Sequence, residues 1–166
     1  MLNKNPNLLL RIAQSDAYCI AAEFVSKKYD SLIQEMLKFE KFHQHPKYVD
    51  LLPGMYTDDT VQTVAVSLTM LEDGILDHNK LAHHLVNCFK RDERKGYSKR
   101  FQDIFESVST GEEFISKLAL QSEFTGAAMR SVPLGLLPTP EKVVEAATAQ
   151  AKLTHVKKDK TARIRM

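Results

Sequence analysis

Hydrophobic residues recur along this chain with a period near 3.6, and no segment alternates with a period of 2. That pattern predicts amphipathic helices and no sheet. Asn7 is placed to cap a first helix over residues 8–25. Ile33, Met36, Leu37 and Glu40 make a second stripe, which Pro46 would end. Val61, Val64, Ala65, Leu68 and Leu71 share one face of a third helix. Thr57 is its expected N-cap, and Gly74 its expected C′ residue. Leu81, Leu85 and Phe89 mark a fourth helix, and Phe101, Ile104, Phe105 and Val108 a fifth. A short helix over residues 111–120 follows. Thr139 as N-cap, Pro140 at N1 and Glu141 in the first turn open a last helix. Its expected apolar face is Val143, Val144, Ala147 and Ala151. The predicted fold class is all-α, a multi-helix bundle.

Composition narrows the class further. A chain of 166 residues is most simply one domain, able to hide roughly 70% of its unfolded surface. Hydrophobic and charged contents of 43% and 27% are ordinary for a globular protein. A formal net charge of +2 gives no case for nucleic acid as a partner. No apolar run reaches the length of a membrane span, so the expected location is cytoplasmic and no membrane partner is expected. Cys19 and Cys88 stand in apolar helical patterns without metal or redox spacing, which predicts two reduced, buried thiols.

The densest chemistry lies at Thr57-Asp58-Asp59-Thr60. A Thr cap with acids in the first turn satisfies free N–H groups and complements the helix dipole. The same residues offer hard oxygen ligands for Mg²⁺, Mn²⁺ or Ca²⁺, and spacing alone does not choose between these roles. Asp16 and Glu23 lie seven residues apart, on one face of the predicted first helix. His43 and His45, at i and i+2, do not face together on a helix, so a surface role is expected for both. Residues 90–100 hold six Lys or Arg and two acids. Mixed signs favour a solvated connection over a phosphate-attracting rim. Gly126, Ala127 and Ala128 allow close backbone approach, and Arg130 could pair with an anion or with a neighbouring carboxylate. His155 stands near a helix end, where a partner for the dipole is the ordinary role.

Several segments in order resemble the ADP-ribosylglycohydrolase family. Gly54 to Thr60 looks like its first metal motif. Phe42-His43-Gln44-His45-Pro46, Phe89-Lys90-Arg91-Asp92 with Gly96-Tyr97, and Gly126-Ala127-Ala128-Met129-Arg130 with Pro133-Leu134-Gly135 are similar to other family segments. So are Gln150-Ala151 and Thr154-His155. Asp16, Ala17 and Glu23 match a first-helix pattern in which the family has glycine where Ser15 and Cys19 stand here. The resemblance runs from about Ile12 to His155. It implies a helical domain over residues 1–155, followed by a basic tail over residues 156–166 that is expected to be disordered.

By resemblance, the activity is Mg²⁺-dependent hydrolysis that removes ADP-ribose from a modified protein or small molecule, with Mn²⁺ as the alternative ion. Thr57, Asp58, Asp59 and Glu23 would be metal ligands, with Glu23 and Asp58 catalytic. Gly126, Ala127, Arg130 and His155 would lie near the ADP-ribose. The family's second metal motif, Asp-x-Asp-Thr, does not occur in these 166 residues. The sequence is therefore expected to be the N-terminal part of such an enzyme, which would self-associate or need a missing C-terminal half. The competing expectation is a catalytically inactive relic, an ADP-ribose-binding or structural module.

Overall fold

The computed structural model describes residues 6–72, 77–118 and 125–155. Eight α-helices and three 3-10 helices make up the architecture, and no strand occurs among the described residues. The α-helices are α1 (Leu8–Cys19), α2 (Asp30–Met36), α3 (Asp58–Leu71), α4 (His78–Arg91), α5 (Lys99–Glu106), α6 (Gly111–Lys117), α7 (Gly126–Met129) and α8 (Pro140–Thr154). The expected Gly74 terminator and the tail over residues 156–166 lie outside the described residues.

The core forms where α3 packs along α4 and α4 against α6. Val61, Ala65, Val66, Leu81, Leu85, Phe89, Phe105, Phe114 and Leu134 are buried together. The rings of Phe89 and Phe105 stack at 4.9 Å, and those of Phe105 and Phe114 at 4.8 Å. Aromatic pairs of this kind stabilise by about 0.5–1.5 kcal/mol beyond their area burial. Gly111 is required for this packing, because a Cβ there would meet the His83 backbone nitrogen at 2.6 Å.

Capping follows the sequence at several helix starts. The Thr57 hydroxyl accepts from the Asp59 N–H, Asp77 from Asn79, Thr110 from Glu113 and Thr139 from Lys142. Asn7 precedes α1 as expected, but its side chain makes no capping bond.

Other expectations are corrected. The first helix ends at Cys19 and tightens into a 3-10 turn at Ile20–Ala22, not at residue 25. Glu23 is extended (φ −70°, ψ 133°) and Phe24 is left-handed (φ 53°), so the chain leaves the helix before Glu23. The second helix stops at Met36, and Phe39 turns left-handed (φ 56°) well before Pro46. Leu71 and Val144, placed on buried faces by periodicity, are exposed. The buried side of α8 is instead Ala146, Gln150, Leu153 and Thr154. Cys88 is buried, but Cys19 is exposed. No helix among the described residues is long and apolar enough to cross a membrane.

Candidate functional site

A cleft of about 380 Å³ opens above the start of α3. It is lined by Glu23, Asp58, Asp59 and Gln62 on one side and by Gly126, Met129, Arg130 and His155 on the other. Phe24, Tyr48, Tyr97 and Phe101 add aromatic surface. The tertiary structure therefore brings Glu23, Asp58, Asp59, Gly126, Arg130 and His155 to one cleft, though they come from separate parts of the chain.

The acid-bearing turn is fixed from below by Asp16. One of its oxygens, Oδ2, accepts from the Thr57 N–H (2.8 Å), the Thr60 N–H (3.1 Å) and the Thr60 hydroxyl (2.6 Å). The other, Oδ1, accepts from the Thr57 hydroxyl at 2.8 Å. A carboxylate from α1 thus takes up donors that a helix start leaves free. The sequence reading paired Asp16 with Glu23 as one face of a helix. Glu23 lies beyond that helix, and Asp16 instead anchors the start of α3.

Asp58 is held on three sides. Its N–H donates to the Lys95 carbonyl at 3.0 Å. Its Oδ2 accepts from the Gln62 side-chain amide at 2.9 Å, one turn along α3. Its Oδ1 lies against Gly96, where a Cβ would come within 1.9 Å. Gly96 also has φ +119°, which a residue with a side chain rarely adopts. The expectation of a solvated connection over residues 90–100 is corrected here, since part of that stretch forms a wall of the site. Tyr56 donates to Asp92, the Arg94 Nε donates to Asp92 at 2.7 Å, and the Arg94 guanidinium lies 4.3 Å over the Tyr56 ring. Burial pushes the Asp92 carboxyl up, but these two donors outweigh it and hold it below the usual range.

The electrostatics of the cleft are those of crowded acids. Burial, then repulsion from Asp59, pushes the Asp58 carboxyl up to about 8, against the opposing bond from Gln62. Burial followed by Asp16 and Glu23 pushes Asp59 up to about 6. Glu23 is raised by partial burial and then by Asp16, with His45 pulling the other way. Such a cluster favours either protonation or a cation. Hard oxygen donors suit Mg²⁺ or Mn²⁺ in kind. Their number does not make a cage: among the described residues, no three His, Cys, Asp or Glu side chains form a metal-holding group.

His45 is corrected from a surface residue to a buried one, 1% exposed. Its Nδ1 accepts from the Lys47 and Tyr48 N–H groups at 3.0 and 2.9 Å. The proton therefore sits on Nε2, which donates to the Glu23 carbonyl at 2.9 Å. His45 thus fixes the backbone that carries Glu23. A residue buried by a bend of the chain leaves no periodic signal, which is why sequence spacing missed it.

On the opposite wall, Gly126 starts the four-residue α7, and Ala127 is buried behind it. Arg130 is 2% exposed. Its guanidinium donates to the Gln150 side chain (2.6 Å) and carbonyl (3.1 Å), to the Gln62 side chain (3.0 Å) and to the Thr154 hydroxyl (2.8 Å). These partners are amides and a hydroxyl, and no neighbouring carboxylate is among them. Burial lowers its pKa to about 10, so it stays charged. His155 terminates α8, and its Nδ1 lies 2.7 Å from the Thr154 hydroxyl.

Comparison with known proteins gives the same direction. An uncharacterized protein of Archaeoglobus fulgidus is 28% identical over 137 residues, covering 82% of this chain and 44% of that protein. The ADP-ribosylhydrolase ARH3 of Xenopus tropicalis is 29% identical over 108 residues, covering 60% of this chain and 31% of that protein. The chain thus spans less than half the length of either relative. No solved structure matches it. The family match extends beyond His155, past the point where the recognised motifs stop. Residues 12–163 match the ADP-ribosylglycohydrolase family, and the chain belongs to that family.

Proposed function

We propose that the cleft is the N-terminal part of a hydrolase site that releases ADP-ribose from a modified protein or small molecule, with Mg²⁺ or Mn²⁺ as cofactor. The carrying observation is the convergence of Asp58, Asp59 and Glu23 on one cleft, with Gly126 and His155 across from them. Family membership supplies the substrate class.

Thr57, Asp58 and Asp59 would hold the cation, with Glu23 either a further ligand or the group that activates water. Bound there, the ion would act as Lewis acid and template for the ribose. Asp58 is aimed by Gln62 and Gly96, so its free oxygen keeps one direction. Glu23, with its carboxyl raised above the ordinary value, suits the role of general base that takes a proton from the attacking water. The bond that breaks joins the ribose anomeric carbon to the leaving nitrogen or oxygen, and that leaving atom takes up the proton. Gly126 and the adjacent His155 would line the ADP-ribose, with Ala127 buried behind Gly126.

A second reading is favoured by one observation: the described residues form no group of three metal-holding side chains. On that reading the chain binds ADP-ribose without turning over, or acts as a structural module. One assay separates the two. ADP-ribose release is followed with wild type and Asp58→Asn, with and without chelator, while calorimetry measures ADP-ribose binding. The hydrolase reading predicts metal-dependent release that Asp58→Asn lowers by at least about 100-fold. Binding without release supports the module. Mg²⁺ binding is expected to be weak, because few protein ligands leave the ion largely hydrated, and robust metal-dependent release would overturn the module reading.

A further inference from the structure

Arg130 is a buried cation whose guanidinium bonds two side-chain amides, a backbone carbonyl and a hydroxyl, with no carboxylate partner among the described residues. Burying a guanidinium is costly, and an apolar side chain of similar volume often serves stability as well. Its value must therefore lie in what its rigid fork holds in place. That fork has two arms.

One arm runs through Gln62. Nη1 donates to Gln62 Oε1 at 3.0 Å, which fixes the orientation of an amide that could otherwise flip. The Gln62 NH₂ group is thereby turned to donate to Asp58 Oδ2 at 2.9 Å. The other arm runs through Thr154. Nη2 donates to its hydroxyl oxygen at 2.8 Å, so the hydroxyl proton is free to donate to His155 Nδ1 at 2.7 Å. That sets the tautomer of His155 with its proton on Nε2. A further tie closes the unit: Nε donates to Gln150 Oε1, and the Gln150 amide donates to the Ala127 carbonyl at 2.7 Å. Arg130 thus joins α3, α7 and α8 behind the cleft.

We infer that Arg130 is a positioning residue, not a ligand of the ADP-ribose: it orients Asp58 through Gln62 and His155 through Thr154. The inference rests on the reading of Asp58 as a cation ligand, and the test separates the two. A lysine cannot replace this fork, since a single ammonium has no planar pair of donors.

The variants are Gln62→Leu, Arg130→Lys, their double, Thr154→Val and Asp58→Asn in the full chain, each checked by thermal melt. Mn²⁺ binding is measured by electron paramagnetic resonance. The Gln62 amide and His155 ring nitrogens are followed by ¹⁵N NMR without metal. Gln62→Leu and Arg130→Lys should each weaken Mn²⁺ binding about 10-fold, the usual effect of losing a partner of a ligating group. The double should be no weaker than the worse single. Without metal, the Gln62 amide signals should shift in both Asp58→Asn and Arg130→Lys. The His155 tautomer should change in Thr154→Val. If Asp58→Asn weakens Mn²⁺ binding while Gln62→Leu and Arg130→Lys do not, the positioning role is overturned and the metal reading stands. If wild type binds no Mn²⁺, or Asp58→Asn binds it equally, the metal reading falls and the NMR arm decides the relay. Unshifted Gln62 signals then overturn it. Should Arg130→Lys fail to fold, Gln62→Leu and Thr154→Val carry the same outcomes.

Discussion

Two acid-bearing rims on one wall of the cleft are built differently. At the start of α3, Thr57 and Thr60 donate four hydrogen bonds to Asp16, the Asp58 N–H donates to the Lys95 carbonyl, and the Gln62 side chain donates to Asp58. Beside them on the same wall, Glu23 sits in extended chain just before left-handed Phe24, tied by its carbonyl to His45, with its side chain reaching solvent. The first rim is preorganised, the condition under which a ligand or reacting group is held without reorganisation cost. The second is fixed at the backbone while its side chain reaches solvent, the freedom that the proposed proton-moving role calls for. Acids that bind can be rigid; an acid that shuttles gains from adjustable reach.

The sharpest way to break the comparison is pH. Asp58 and Asp59 keep their protons to about 8 and about 6 in the folded chain, whereas unfolded carboxyls lose theirs near 3.8. Folded chain then binds more protons than unfolded chain between those values. Stability should therefore fall as pH rises from about 4 to 8, by up to about 1.4 kcal/mol per pH unit for Asp58 alone. Denaturant melts in chelator should show this slope, and Asp58→Asn should flatten most of it. A flat wild-type profile would mean that the rim is already solvated.

Asp16→Ala should cost about 3 kcal/mol, because it strips partners from two backbone N–H groups and two hydroxyls at once. Its chemical melt should shift well beyond that of any change at Glu23. Gly96→Ala should cost about 2 kcal/mol from the left-handed backbone and the clash with Asp58. It should also weaken Mn²⁺ binding, since Asp58 must move aside. His45→Ala should cost about 1–2 kcal/mol, leaving the Glu23 carbonyl and two N–H groups without their partner. It should lower any turnover more than it lowers Mn²⁺ affinity. Glu23→Gln should change stability by less than about 0.5 kcal/mol, the usual result for an exposed side chain. If it costs as much as Asp16→Ala, the two rims are equally rigid and the contrast fails.

Much was legible from sequence alone. Helical periodicity gave the all-α class, and Thr57 and Thr139 announced two helix starts, because capping and amphipathic spacing are local. The Thr57-Asp58-Asp59 motif and the family's other segments marked the stretches that meet in the cleft. What sequence could not decide was how those stretches meet. Glu23 was assigned to a helix it has already left, since a positive φ at Phe24 has no compositional sign. His45 was assigned to the surface, and the amide partners of Arg130 went unforeseen. The partners of His45 and Arg130 lie 22 residues away at Glu23 and 68 residues away at Gln62. Asp16 anchors a helix start 41 residues downstream. A hydrogen bond between distant residues depends on where packing delivers both ends, and chain spacing fixes only contacts within a turn or two. The sequence determined which helices form and where the acids cluster. Only the tertiary structure decided which side chains hold those acids still.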